Sequence, residues 1–238
     1  MSPRSAKARL LSTLEIALGL GFLTDALTAV LLSRISALSN PLGSVQALAA
    51  WVLLSSFFLT LLIWVLLRCH GESLRQLCLG QGGVAWRDVR LGLWLVPAIF
   101  LASYLLKSAT HHSLPALYSG ERNVLEELMH GPQDLGLFLV VVFLAGGFRE
   151  ELQRAFIIRR FEWGWGPAWL GAVLFALFFG YGHRIQGKDE AIIAGVFGLI
   201  WGALYVARKN LVAASLSHAL FDAVELVRYY LWGPLRYL

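Results

Sequence analysis

The 238-residue chain has few charged residues: only 15% are Asp, Glu, Lys or Arg, whereas soluble domains have about 25%. This shortage excludes an ordinary soluble domain, and the apolar composition excludes a disordered chain. Only two cysteines occur, so nothing supports a disulfide framework. In contrast, 58% of the residues are hydrophobic and the mean hydropathy is +0.65. The composition predicts a multi-pass membrane protein.

The net charge is modest, at +5. In a membrane protein we interpret such an excess as an orientation signal rather than as a nucleic-acid binding surface. We therefore expect the protein to lie in the lipid bilayer and do not expect it to bind nucleic acid.

Seven apolar runs approach the roughly 20 residues that a membrane-spanning helix needs. They are residues 10–32, 45–67, 89–107, 134–158, 167–183, 191–207 and 211–231. The third and fifth runs are short or interrupted, so six to eight spans are compatible with the sequence. The runs are continuous rather than alternating, which disfavours a β-barrel. The predicted fold class is an all-α polytopic transmembrane helical bundle with an intramembrane polar cavity, and the absence of an internal repeat predicts one domain over residues 1–238.

Lys and Arg residues are distributed unevenly among the predicted loops. The loops on the side of the N-terminus hold twelve of them, against seven on the other side. This bias predicts a cytoplasmic N-terminus, and we expect the protein in the cell membrane, as in a bacterial inner membrane. The first run is too long for a signal peptide and contains Glu15 and Asp25, for which we expect structural or helix-end roles. Residues 108–133 are expected to form a solvated loop, with an interfacial helix as the alternative.

Besides Glu15 and Asp25 in the first run, three further spans bring ionisable side chains towards the bilayer interior, where they are costly and each require an explanation. They are Arg149, Glu150, Glu151 and Arg154 in the fourth span, His183 at the end of the fifth, and His218, Asp222 and Glu225 in the seventh. The depths of these positions in their helices allow them to converge. A free carboxylate with two histidines near the middle of the membrane is a plausible catalytic set.

Helical spacing predicts which of these groups share a face. Arg154 lies four residues after Glu150 and three after Glu151, so either carboxylate can pair with it. The other carboxylate then remains for a different partner. His218 and Asp222 are four residues apart and face the same way. Buried ion pairs that only lock helices together are the alternative interpretation of each pair taken singly.

Taken in order, these residues form a recognisable pattern. Glu150-Glu151-x-x-Arg154, Phe179-x-x-x-His183 and His218-x-x-x-Asp222 resemble the three-motif signature of the CPBP family. That family includes the type II CAAX prenyl endopeptidases (Rce1-like) and the bacterial Abi intramembrane proteases. The motif-bearing core is expected at about residues 134–231, and the first three spans carry no matching motif.

The resemblance implies an intramembrane endopeptidase and assigns a role to each matched residue. Glu150 would be the general base that activates water, and His183 would hold and polarise that water. His218 and Asp222 would stabilise the oxyanion. The site-orienting residues would be Glu151, Arg154 and Phe179. Peptide hydrolysis without a Ser or Cys nucleophile needs such an activated water and such donors.

Two chemical alternatives stay open. An ionised Asp222 cannot donate a hydrogen bond, so it would orient His218 or be protonated itself. The second alternative is zinc, because Glu150, His183, His218 and Asp222 are possible ligands. No His-Glu-x-x-His motif occurs, and the metal-free glutamic mechanism, with no cofactor, is the favoured prediction.

The predicted function is hydrolysis of a peptide bond near the C-terminus of a membrane-anchored protein or peptide substrate. In the family that this sequence resembles, such substrates include CAAX-type tails and C-terminal sorting signals. The alternative is a non-catalytic transporter-like, scaffold or immunity protein that binds an ion or a peptide through the same polar residues. The lack of an internal repeat counts against a transporter.

Overall fold

The computed structural model describes residues 5–119 and 123–234, and within these ranges it is helical with no strand. The all-α fold class predicted from the sequence is confirmed. The helices are α1 (Ala6–Gly19), α2 (Phe22–Leu32), α3 (Val45–Cys69), α4 (Leu74–Leu79), α5 (Trp86–Ser113), α6 (Val124–Glu127), α7 (Pro132–Val141), α8 (Glu151–Gly164), α9 (Ala168–Gly182), α10 (Lys188–Arg208) and α11 (Val212–Trp232). A π-helical segment, Val142–Glu150, joins α7 to α8, and 3₁₀ turns occur at Ser36–Leu38 and His183–Ile185.

Five segments are long and apolar enough to cross a membrane, judged by length and composition. They are Ala6–Leu32, Val45–Cys69, Trp86–Ser113, Ala168–Ile185 and Lys188–Arg208. The other two predicted spans correspond to α7–α8 and α11, which carry the charged motifs. α11, for example, contains Asp222, Glu225 and Arg228 within its 21 residues. The span count therefore agrees roughly with the prediction, and the chain is a multi-pass membrane protein.

The first span is broken between α1 and α2. Gly21 adopts φ +94°, a left-handed conformation that glycine reaches without strain, and it ends one helix and begins the next. Asp25 lies in the first turn of α2, where a carboxylate is favourable. It accepts a hydrogen bond of 2.5 Å from the hydroxyl of Ser55 on α3.

Glu15 belongs to a buried charge network that joins α1 to α8. It contacts Nε2 of His70 at 2.5 Å and also pairs with Arg160. Glu72 lies 2.5 Å from Arg160 and 2.5 Å from Arg159, measured between carboxylate oxygens and guanidinium nitrogens. The network ties the segment after α3 to α8, which is a structural role.

Contacts between the connecting segments define two ends of the bundle. We call the end that carries the start of α1 the proximal face. There the amide of Leu211 donates to the carbonyl of Cys78 across 2.7 Å, and the indole nitrogen of Trp165 donates to Thr13 across 3.1 Å. These bonds bring together the start of α1, the segment around α4 and the connections after α8 and α10.

The opposite end, the distal face, is held together in the same way. The amide of Lys188 donates to the hydroxyl of Ser119 across 2.7 Å, and the amide nitrogen of Asn123 donates to the side chain of Gln186 across 3.1 Å. The segment after α5 therefore packs on the connection between α9 and α10.

The two faces differ in basic charge. Among the described residues, the proximal face has ten basic side chains and the distal face has five. The proximal set is Lys7, Arg9, Arg68, Arg75, Arg87, Arg90, Arg159, Arg160, Arg208 and Lys209, and the distal set is Arg34, Lys107, Arg184, Lys188 and Arg228. Arg154 is fully buried between helices in the interior of the bundle and belongs to neither set. The predicted excess of Lys and Arg on the side of the N-terminus remains when Arg154 is left out.

The segment after α5 differs from the expected solvated loop. α5 continues to Ser113, and the short helix α6 follows before α7. Met129 is buried against α3 and α7. Residues 120–122 lie outside the described part of the chain. Apolar side chains beyond residue 123 dock this segment onto the bundle, where it lines the distal end of the cavity described below.

Candidate active site

The π-helical segment brings the fourth span close to α11. Each π turn inserts an extra residue, and such segments occur frequently at functional sites. A Cβ on Gly147 would lie 2.5 Å from the Cβ of Ala219, and a Cβ on Gly146 would lie 2.7 Å from Oδ2 of Asp222. Glycine at both positions is therefore what permits the close approach.

Glu151 lies behind the site, fully buried, at the start of α8. Its Oε1 atom accepts a hydrogen bond from Nδ1 of His218 across 2.8 Å and also pairs with Arg154 on its own helix. Helical spacing alone allows either Glu150 or Glu151 to pair with Arg154. In the structure Glu151 takes this partner, which leaves Glu150 for the cavity.

Arg154 is surrounded by aromatic rings as well as by its carboxylate. Its guanidinium carbon lies 4.9 Å from the ring centre of Phe179 and 5.4 Å from those of Phe175 and Trp201. Cation–π attraction in a desolvated site is favourable by about 2 kcal/mol per contact. These rings and Glu151 together compensate for removing the charge from water.

His218 is held on two sides. Its ring stacks on Trp201 with a centroid distance of 3.8 Å and an interplanar angle of 18°, and the indole nitrogen of Trp201 donates to Ser217 across 3.1 Å. Because Nδ1 of His218 already donates to Glu151, Nε2 is the ring nitrogen that faces Glu150 and Asp222. It lies 3.7 Å from Oε2 of Glu150 and 3.5 Å from Oδ2 of Asp222.

His183 follows the end of α9, in a 3₁₀ turn. Its Nδ1 donates to the carbonyl oxygen of Phe179 across 2.8 Å, and the two rings are 4.4 Å apart. Since a carbonyl oxygen can only accept, Nδ1 carries the proton in this contact. The other nitrogen of the ring, Nε2, is left to accept or donate elsewhere.

One cavity of about 390 Å³ brings these groups together. Glu150, His183, His218 and Asp222 all line it, and so does Phe179. Its walls are otherwise mainly apolar, with residues such as Val141, Phe197 and Phe221. The sequence-predicted residues that do not line the cavity are Glu151 and Arg154, which lie behind His218.

The distal end of the cavity carries a second set of charged residues. Lys107 pairs with Glu190, and Arg228 lies 2.6 Å from Glu225, measured from nitrogen to oxygen. Burial, together with the negative charge of Glu225, raises the pKa of Glu126 on α6 to about 7. Apart from Glu225, none of these residues was singled out from the sequence.

Possible metal ligands are not clustered in the described ranges. Within residues 5–119 and 123–234, no group of three or more His, Cys, Asp or Glu side chains is arranged to hold a metal ion. The four residues considered for zinc line the cavity from three elements: Glu150 ends the π-helical segment, His183 begins the 3₁₀ turn after α9, and His218 and Asp222 lie on α11.

Trp201 lines the cavity but belongs to none of the three sequence motifs. It lies in α10, which has no charged motif, between Gly198 and Gly202. A Cβ on Gly198 would lie 3.1 Å from Phe179, and one on Gly202 would lie 3.1 Å from Ala172. The Gly-x-x-x-Gly spacing is the signal that could have indicated this close packing of α10 on α9.

A match to a protein-family model supports the resemblance of the three motifs to the CPBP family. A family model described as "Type II CAAX prenyl endopeptidase Rce1-like" matches residues 132–224. This segment is similar to the Rce1-like domain that the model describes. It contains all seven motif residues named from the sequence, and the Rce1-like domain identifies a family of CAAX-type intramembrane proteases. No curated protein and no solved structure matched the chain.

Proposed function

We propose that this protein is an intramembrane endopeptidase in which Glu150 activates a water molecule to hydrolyse a peptide bond near the C-terminus of a membrane-associated protein. The observation that carries the proposal is the convergence of Glu150, His183, His218 and Asp222 on one cavity inside a helical bundle. A mainly apolar cavity with a few convergent polar groups is typical of an active site.

The reaction begins with the water molecule between Glu150 and His183. Glu150 accepts a proton from the water, while Nε2 of His183 orients it. The oxygen attacks the carbonyl carbon of the substrate, and the carbonyl oxygen becomes an oxyanion. The proton held by Glu150 then passes to the leaving nitrogen, the C–N bond breaks, and a carboxylate and an amine are released.

His218 is the proposed donor to the oxyanion, as an imidazolium that carries a proton on each ring nitrogen: Nδ1 donates to Glu151 and Nε2 donates to the oxyanion. Donors fixed in advance in a site with little water are the most effective way to stabilise this charge. Glu151 and Arg154 act on the reaction only through His218, because Glu151 holds Nδ1 across 2.8 Å. They are positioning residues. Asp222, 3.5 Å from Nε2 of His218, orients that ring or supplies a second donor when protonated.

The test compares membrane proteins from cells that carry the wild type, Glu150→Gln or Glu162→Gln. Gln keeps the shape of the Glu150 side chain but cannot act as a base. Glu162 is the matched control, since it lies in the same span but its side chain is 45% exposed and pairs with Lys209. C-terminal peptides measured by mass spectrometry should reveal a set of uncut tails only in the Glu150→Gln cells. Identical C-termini in all three, with equal amounts of the protein, would contradict the proposal and favour a binding or scaffold function.

We also propose that the protein resides in the cell membrane with its N-terminus in the cytoplasm. The support is the excess of basic side chains on the proximal face.

A further inference from the structure

We infer that the active-site cavity is entered from the extracytoplasmic side of the membrane, so that its substrates are protein segments exposed on that side. The inference rests on the proposed function for its substrate class, whereas the direction of entry follows from the cavity together with the charge of the two faces.

The lining of the cavity extends to the distal face, and none of its lining residues lies at a proximal helix end. Its outer lining comes from the start of α3, the end of α5, the connection after α9, the start of α10 and the end of α11. The residues concerned are Leu48, Lys107, Gln186, Glu190 and Arg228. In a bundle whose spans cross the membrane alternately, these five ends lie on the same side. The distal hydrogen bonds, such as Asn123 to Gln186 across 3.1 Å, agree with that arrangement.

The proximal side of the site is closed by packed side chains. Arg154, Glu151 and Leu152 are fully buried behind His218, and Ala214 is buried one turn before it on α11. The proximal face has a depression of its own, about 620 Å³, around Arg208. It shares no lining residue with the active-site cavity.

The charge of the two faces gives the direction in the membrane. Cytoplasmic loops carry the excess of Lys and Arg, and the described residues have ten on the proximal face against five on the distal face. The closed face is therefore cytoplasmic and the mouth is extracytoplasmic. A lipid-modified tail that stays in the cytoplasm would meet the closed face. A membrane-anchored protein whose C-terminal segment has been exported would meet the mouth.

Single cysteines in a cysteine-free background test the direction of entry. Both native cysteines, Cys69 and Cys78, are first replaced by Ser. Lys188→Cys then reports on the distal face, Arg75→Cys on the proximal face and Ser103→Cys on the cavity lining; Lys188 and Arg75 are exposed. Spheroplasts and inside-out vesicles are treated with a small, membrane-impermeant cationic methanethiosulfonate.

The inference predicts that Lys188→Cys and Ser103→Cys react in spheroplasts, and that Arg75→Cys reacts only in inside-out vesicles. Any other pattern overturns it, including a Ser103→Cys that is unreactive from outside. The result does not depend on whether the protein is a protease.

The C-terminal comparison proposed above then separates the two claims. Cut sites that map to extracytoplasmic segments support both the proposed function and the direction of entry. Cut sites in cytoplasmic tails would support the protease and overturn the inference. A lack of any Glu150-dependent cut would overturn the protease, while the labelling pattern would still decide the direction.

Discussion

Nδ1 of His218 donates a hydrogen bond to Oε1 of Glu151 across 2.8 Å, and the same oxygen pairs with Arg154. All three side chains are buried. One carboxylate oxygen thus connects the internal ion pair of α8 to the histidine of α11. Because this bond fixes Nδ1 as a donor, the opposite nitrogen of His218 is presented to Glu150 and Asp222. The buried pair is therefore part of the site's geometry as well as of the fold.

Arg154→Ala should destabilise the protein strongly. It leaves Glu151 as a buried charge without its arginine, which costs about 3–5 kcal/mol. We expect low abundance in the membrane and a lower thermal unfolding temperature in detergent. Normal abundance together with normal turnover would contradict the pairing described here.

A double variant separates folding from positioning. Replacing both partners, as in Glu151→Leu with Arg154→Met, removes the charges together and should recover much of the stability lost by Arg154→Ala, because well-packed apolar replacements of buried pairs are often tolerated. Turnover should stay low, since Nδ1 of His218 has lost its acceptor. If turnover recovered along with abundance, Glu151 would be structural only.

Gly146→Ala should impair the reaction more than the fold. The added methyl group would meet Oδ2 of Asp222 at 2.7 Å and move that side chain away from His218. A displacement of about 1 Å in an active site can reduce turnover about 10²-fold. Gly136→Ala is the matched control, because a Cβ at Gly136 meets nothing within 4 Å. Turnover measured for the two variants at equal abundance should differ, and equal values would contradict a role for Asp222 at this position.

Gly147→Ala tests a different contact of the same segment. Its Cβ would approach the Cβ of Ala219 to 2.5 Å and the carbonyl of Ser215 to 3.2 Å, and neither atom belongs to a flexible side-chain end. We expect reduced folding and abundance rather than a selective loss of turnover. Abundance of the full-length protein, compared with the Gly136→Ala control, checks this expectation.

The packing of α6 should weaken as the pH rises to neutrality. Burial raises the pKa of Glu126 from 4.5 to about 7, so between these values the folded state holds a proton that the unfolded state has released. Stability is therefore highest below pH 4.5 and falls as the pH rises through 7, by about 3 kcal/mol if the whole shift is lost, at about 1.4 kcal/mol per pKa unit.

Hydrogen exchange of residues 123–130 between pH 5 and 8 measures this effect, after correction for the intrinsic dependence of exchange on pH. Protection should fall with pH in the wild type and be nearly constant in Glu126→Gln. Glu127→Gln, a change at the neighbouring exposed carboxylate, serves as the control and should behave like the wild type. The same pH dependence in Glu126→Gln would assign it to another group.

Metal removal tests the proposed metal-free chemistry. We expect purified protein to contain far less than one zinc per chain and to retain its turnover after treatment with a chelator. Stoichiometric zinc, with turnover that is lost on chelation and restored by zinc, would show that Glu150, His183, His218 and Asp222 act as a ligand set instead.

The sequence predicted those features that depend on spacing within one helix. Glu151 and Arg154 are three residues apart, and His218 and Asp222 are four apart, so their shared faces follow from helical geometry alone. The apolar runs likewise predicted the helical spans, because a continuous run of about 20 apolar residues has few other stable structures. Which of the two adjacent glutamates faces the cavity could not be decided from spacing.

The remaining features depend on contacts between distant segments. The π-helical turns shift the phase of the fourth span up to Glu150, where Gly147 closely approaches Ala219 on α11. The stacking of Trp201 on His218 joins two helices that have no common motif. Glu126 looked like part of a solvated loop, since its burial depends on how residues 123–130 dock onto the cavity.

The most direct test of the central claim uses purified protein in nanodiscs and the uncut membrane proteins that accumulate in the Glu150→Gln strain. Wild-type and Glu162→Gln protein should cleave these proteins at a defined site, whereas Glu150→Gln should be slower by about 10²–10⁴-fold, the usual contribution of a general base. Cleavage by Glu150→Gln at the wild-type rate, with its fold intact, would contradict the claim that Glu150 activates the water.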